Sequence, residues 1–194
     1  MSTLAYLKSL IKDKNVASIT PSSRYTVRKV TRKIDFTRDI TIVEYGPGTG
    51  VFAEYLLKKM SPDSRLIMIE LNPDFVEILQ KIDDPRVSVH RQSAEEAEAI
   101  AQNCGALEAD YILSGIPFSF LPVQVKDNIL TATYRLLRED GYFLAYQTSM
   151  HLRKPIEKHF GAVEMSFEIR NIPPMCIYEA RKNGHRHLPH PPKN

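Results

Sequence analysis

Nothing in this 194-residue sequence approaches the run of about 20 apolar residues that a membrane-spanning helix requires. The first residues hold an apolar patch without the continuous hydrophobic stretch of a secretory signal, so no leader is expected. Cysteine is scarce. Cys104 and Cys176 are too few and too far apart for a zinc motif, and a reduced, cytoplasmic setting is expected for them. Net charge is low as well, at +3. What is left is a soluble globular chain, 43% hydrophobic and 25% charged, of a length that suits one domain.

The small net charge hides an uneven distribution. Residues 1–38 hold nine basic residues against two acidic ones, a local +7 within a chain of +3. The spacing predicts a helix over 3–13, with Leu4, Leu7, Leu10 and Ile11 on one face and Lys8 and Lys12 flanking it. Ser22 and Ser23 offer N-caps for a second helix through about Ile34. There Val27, Val30 and Ile34 share one side, and Arg28, Lys29, Arg32 and Lys33 fall mostly on the other. Such a segment suits an anionic partner, membrane surface or nucleic acid; the plainer alternative is a solvated helix face.

Beyond residue 35, β-branched runs alternate with helical patterns. "DITIVEYG", "SRLIMIEL", "RVSVHRQS", "ADYILSGIPF" and "GYFLAYQTS" read as strands, each followed by a helix. "VEMSFEIRNIPP" and "MCIYEARK" close the pattern as two strands, with the prolines between them predicting an antiparallel turn-back. Alternation of this kind gives an α/β fold with a mainly parallel sheet. The expected organisation is a basic helical segment at 1–34, one α/β domain at 35–182 and a disordered tail at 183–194.

Glycine is sparse too, eight in all, yet three of them fall within "GPGTG": Gly46, Gly48 and Gly50. A dinucleotide fingerprint would require glycine at 51, where Val51 stands. Glu44, two residues upstream, would repel a pyrophosphate and attract an amine. S-adenosylmethionine carries such an amine and no phosphate. Glu70, ending the second strand, can accept both hydroxyls of a ribose. Ser93 and Ala94 are candidates for the adenine edge, although Ser93 can equally cap the next helix. Tyr45, Leu71 and Ser114, at the ends of the first, second and fourth strands, complete the expected cofactor lining. In "LSGIPFSFLP", Gly115 and Pro117 shape a rigid turn expected to expose Phe118 and Phe120 beside the cofactor.

With these stretches the chain resembles class I S-adenosylmethionine-dependent methyltransferases. More narrowly it is similar to the soluble bacterial phospholipid N-methyltransferases, acting on phosphatidylethanolamine, and to their relatives acting on ornithine lipids. "ITPSSR", "VEYGPGTGVF", "IMIELNPDF", "LSGIPFSFLP" and "RNIPPMCIYEAR" carry the resemblance, over residues 20–181. It implies a seven-stranded Rossmann-like sheet of order 3-2-1-4-5-7-6 with the last strand antiparallel. It implies that Glu44, Gly46, Gly48 and Gly50 meet the methionine part of the cofactor, Glu70 the ribose and the Ser93–Ala94 region the adenine. Ser93 departs from the aspartate usual in many relatives. The resemblance further implies a lipid substrate with a primary amine, and N-terminal basic helices docked on anionic membrane.

The amine must lose a proton before its lone pair attacks, and the chemistry needs no metal. Tyr25, Tyr146 and Tyr178 are the candidate phenols, and the Pro117–Phe118 turn is expected to hold the amine. Two rivals stand beside this reading. Ribosomal RNA adenine N6-methyltransferases place Asn before the aromatic turn, where this chain has Gly115. A catalytically silent membrane- or protein-binding module could share the fold.

Overall fold

A computed structural model describes residues 23–183 of the chain. The expected helix at 3–13 and nearly all of the tail therefore lie outside the described residues. Seven strands form one sheet: β1 (Thr41–Tyr45), β2 (Arg65–Ile69), β3 (Val87–His90), β4 (Ala109–Ser114), β5 (Leu137–Gln147), β6 (Glu164–Glu168) and β7 (Met175–Arg181). The order is β3-β2-β1-β4-β5-β7-β6. Strands β1 to β5 are parallel, and β7 runs antiparallel to both β5 and β6. This is the expected class I architecture, and the prolines after β6 do sit in the turn-back.

Helices cover both faces, which is why the central strands are mostly apolar on both sides rather than alternating, Glu44 of β1 being an exception. On one face α4 (Ala97–Asn103), α5 (Val123–Leu136) and α6 (Arg153–Phe160) pack on Val43, Ile67, Ile112 and Phe143. On the other, α1 (Arg24–Val30), α2 (Val51–Leu57) and α3 (Pro73–Leu79) pack on Ile42, Leu66, Leu113 and Ile177. Among the described residues no helix is long and apolar enough to cross a membrane.

Ser23 caps α1, accepting the Thr26 N–H at 3.3 Å. Val27, Val30 and Ile34 then bury against the sheet as the periodicity predicts. The polar side departs from the expectation of a basic face turned to a partner. Arg32 donates from Nε to Glu179 at 2.9 Å, and Lys33 lies 3.5 Å from Glu164. Lys29 donates to the Phe167 carbonyl. These cations tie α1 and the turn that follows it, Thr31–Lys33, to the β6–β7 hairpin.

A helix running from Pro122 to Asp140 is expected from the sequence, but α5 stops four residues earlier, at Leu136. Leu137, already in β5, pairs with Ala109 of β4, and the register shifts before Tyr111 pairs with Tyr142. Gly141 makes this bend feasible, since a Cβ there would come within 2.9 Å of the Arg138 carbonyl and 3.0 Å of the Asp110 carbonyl.

Candidate functional site

The sheet order reverses direction between β1 and β4, so the loops leaving these strands part company at their carboxyl ends. Ligands of open α/β sheets bind in such crevices. Gly46 donates its N–H to the Ile69 carbonyl and Gly115 donates to the Tyr45 carbonyl, both at 2.9 Å. The two loops are thus held against the neighbouring strands. Gly48, at φ +57°, has no atom within 4 Å of where a Cβ would stand, so its loop borders open space. Gly50, at φ +82°, starts α2 with Leu79 only 3.0 Å from that position.

Glu44 is fully buried in β1, and neither carboxylate oxygen has a hydrogen-bond partner among the described residues. Burial, and then the nearby Glu70 carboxylate, push its pKa up to about 8. Glu70 is also buried but well supplied with donors. Its Oε1 accepts the Leu71 and Asn72 N–H groups at 2.8 and 2.9 Å, and its Oε2 accepts the Gly48 N–H at 3.2 Å. Burial raises its pKa and the three backbone donors oppose the shift. A buried carboxylate lacking a donor is costly unless something supplies one. A cationic amine would both donate to Glu44 and favour its ionised form.

Tyr146 stacks on Phe52 at 4.6 Å between centroids. Its hydroxyl lies 2.7 Å from where a Cβ on Gly115 would be, so only glycine fits there. Burial, with Glu44 and Glu70 nearby, raises its pKa well above the usual phenol. Tyr178 donates to the Ser149 carbonyl at 2.8 Å, and burial raises it to about 12. Neither phenol is easily ionised at neutral pH. Tyr25 differs: Arg24 donates to its hydroxyl at 3.0 Å and lowers its pKa, and the Arg170 guanidinium lies 4.2 Å from its ring centroid.

Several expectations change. Phe118 is buried rather than exposed, with 1% of its surface accessible, because the short helical turn after Pro117 rolls its ring into the core; Phe120 faces outward. The Phe118 N–H is tied to Gln147 Oε1 at 3.1 Å. Tyr45 does not reach the cofactor crevice with its side chain: strand alternation sends it to the opposite face from Glu44, where Thr133 donates to its hydroxyl at 3.4 Å. The Ser93 hydroxyl caps the turn at Ala94–Glu96, accepting the Glu95 N–H at 3.3 Å and donating to Glu95 Oε2 at 3.2 Å. Ala94 is buried beside it. Leu71 packs half-buried on the core, and the fully buried Ser114 accepts the Ile116 N–H at 3.3 Å.

Two residues that the sequence reading passed over help to build this end of the molecule. Gln147 ends β5, as Glu70 closely follows β2, and joins the Phe118 turn to the Ser149 carbonyl, to which its Nε2 donates at 2.8 Å. Asn171 accepts both the Ser23 N–H at 2.8 Å and the Thr26 hydroxyl at 3.0 Å, and donates to the Pro173 carbonyl at 2.8 Å. It fastens the start of α1 over the carboxyl edge of the sheet. A polar residue closing a strand was a readable signal for Gln147; nothing local marked Asn171.

A family model described as a methyltransferase domain matches residues 42–141, from β1 into β5. The chain belongs to this family. It is a class I S-adenosylmethionine-dependent methyltransferase. The methyltransferase is 28% identical to an ornithine lipid N-methyltransferase from Singulisphaera acidiphila over 86% of this chain and 88% of that one. It is 31% identical to ribosomal RNA small subunit methyltransferase A from Hydrogenobaculum sp., over 38% of this chain and 25% of that protein. Among solved structures it is similar to the 1,6-didemethyltoxoflavin-N1-methyltransferase of Burkholderia thailandensis, at a TM-score of 0.67 and 14% identity, over 93% of this chain and 88% of that one. Glu44 without a donor, and Glu70 beside the open glycine loop, fit a cofactor with an ammonium and a ribose.

Proposed function

We propose that this methyltransferase methylates the amine head group of a membrane lipid, of the phosphatidylethanolamine or ornithine lipid class. The observation that carries the reading is the near end-to-end similarity to an ornithine lipid N-methyltransferase, which spans the acceptor side of the fold as well as the cofactor loop. The ribosomal RNA enzyme matches over a much smaller part of the chain.

When bound, S-adenosylmethionine supplies an activated methyl on a sulfonium centre. Glu44 would hold the cofactor's ammonium, and Glu70 would accept from the ribose hydroxyls while keeping its bond to the Gly48 N–H. The Ser93–Ala94 turn would line the adenine, through its backbone because the Ser93 hydroxyl is engaged. On the acceptor side, the turn at Pro117 is braced from behind by Gln147, so the chain can position an amine without moving. The outward Phe120 takes the role first expected of Phe118. The proton leaving the amine goes to water or to a nearby acceptor. Of the three phenols, Tyr25 has the environment that eases ionisation.

Incubating the protein with labelled S-adenosylmethionine and detergent-dispersed aminolipid tests the reading. N-methylated lipid in the extract is expected. No lipid product, with label recovered in RNA supplied in parallel, would overturn it.

A further inference from the structure

Large apolar side chains are exposed mainly at one end of the molecule. Val123 and Ile172 are 82% and 83% exposed, Ile169 76%, Met150 60% and Phe120 49%. The topology puts all five at the carboxyl edge of the sheet. Phe120 and Val123 follow β4, Met150 follows β5, and Ile169 and Ile172 lie in the turn from β6 to β7. Asn171, in that same turn, holds the start of α1 there too. This edge is also the mouth of the cofactor crevice.

The charge of these segments is one-sided. Residues 23–28, 115–124, 148–154 and 169–174 contain no aspartate or glutamate. They contribute the exposed cations Arg24, Arg28 and Lys154, together with Arg153 and Arg170, which pair with Glu157 and Glu168. The loops of the opposite edge carry both signs, with Asp35, Asp39, Asp63, Asp83, Asp84 and Glu108 beside Arg38, Lys58, Lys59, Lys81 and Arg86. The acid-free stretch is thus the half of the carboxyl edge formed by the loops after β4, β5 and β6 with the start of α1; the loops after β2 and β3 carry Glu70, Asp74, Glu95 and Glu96.

We infer that the carboxyl-edge rim is a membrane-docking face, with Val123, Met150, Ile169 and Ile172 entering the interface of an anionic bilayer and the surrounding cations meeting its head groups. Apolar groups reach the acyl boundary while lysine and arginine add attraction to anionic lipid. The acid-free half of the rim also orients the approach, because anionic head groups meet only cations there and mixed charge elsewhere. In this orientation the crevice faces the layer that holds its substrate, so a head group reaches the site while the acyl chains stay in lipid. The inference rests on the lipid-methyltransferase reading and extends it, since it places docking on the loops that follow β4, β5 and β6 and on the start of α1.

Flotation of the full chain with phosphatidylglycerol-containing vesicles tests it. Val123→Asp and Ile172→Asp should each lower vesicle partition about tenfold, while Leu107→Asp, at an equally exposed apolar position on the opposite edge, should not. Calorimetry with S-adenosylhomocysteine verifies that the variants are folded, and Met150→Asp replaces either one that is not. Partition unchanged in the rim variants, or lowered equally by Leu107→Asp, overturns the docking face. So does binding of wild type to RNA in preference to vesicles. Transfer to detergent-dispersed aminolipid keeps the two claims apart. Its absence in wild type overturns the lipid reading, whereas its presence, with vesicle binding insensitive to the rim, overturns only the docking face.

Discussion

Glu70 reaches from the end of β2 to the glycine loop after β1 and accepts the Gly48 N–H at 3.2 Å. One carboxylate therefore braces the loop and borders the space in front of it. Glu70→Ala should remove both roles. Cofactor affinity should fall roughly 10- to 100-fold, the range for losing hydrogen bonds to a charged group. Thermal stability should fall as well, because the Gly48, Leu71 and Asn72 N–H groups lose their acceptor. Calorimetry and a melting curve check the pair; affinity equal to wild type would remove Glu70 from the site.

Glu44 makes a prediction in pH. Its folded pKa is raised to about 8 from 4.5. A carboxyl shifted upward contributes full stability while protonated in both states, below its unfolded pKa, and loses that contribution as pH rises toward 8. Glu44→Gln should therefore raise the stability of the cofactor-free protein at pH 8, by on the order of 2–4 kcal/mol, with the gain shrinking toward pH 5. Denaturant titrations at the two pH values check this. The same shift means that cofactor binding at pH 7 should release close to one proton from wild type and little from Glu44→Gln, read by calorimetry in buffers of different ionisation heat.

The glycines of the loop should separate by role. Gly50→Ala meets Leu79 at 3.0 Å and should lower stability by on the order of 1–3 kcal/mol through overpacking and a positive φ. Gly48→Ala has the strained φ but no neighbour within 4 Å, so its larger effect should be on cofactor affinity. Melting curves beside binding isotherms distinguish the two; equal profiles would contradict the assignment of Gly48 to the ligand side.

Much of this was legible beforehand. Alternating apolar runs gave strand and helix order, and the prolines after Glu168 marked the antiparallel return. Glu44 stood out by its place two residues before the glycine cluster, and Glu70 as the acid that closes the second strand after it. Phe118 could not be resolved in the same way: whether a ring after a proline turn points in or out depends on where Gln147 ties the backbone, 29 residues away in sequence. The Tyr45 side chain faces away from Glu44 because neighbours along a strand alternate between faces. The basic face of α1 was read correctly as a stripe, but its acid partners, Glu164 and Glu179, lie in the last two strands.

Phe118→Ala accordingly becomes a core variant, expected to lower stability by about 3–5 kcal/mol. Phe120→Ala, at a half-exposed ring, should lower stability less than Phe118→Ala does and lower methyl transfer more than cofactor affinity. Equal losses of transfer and cofactor affinity in Phe120→Ala would place that ring outside the acceptor side.

The most direct test of the account is to identify the atom that receives the methyl. Wild-type protein, deuterium-labelled S-adenosylmethionine at limiting concentration, and a mixture of aminolipid and ribosomal RNA should yield label on the lipid nitrogen, much reduced in Glu70→Ala. Label on adenine N6, with the lipid fraction blank, would contradict it.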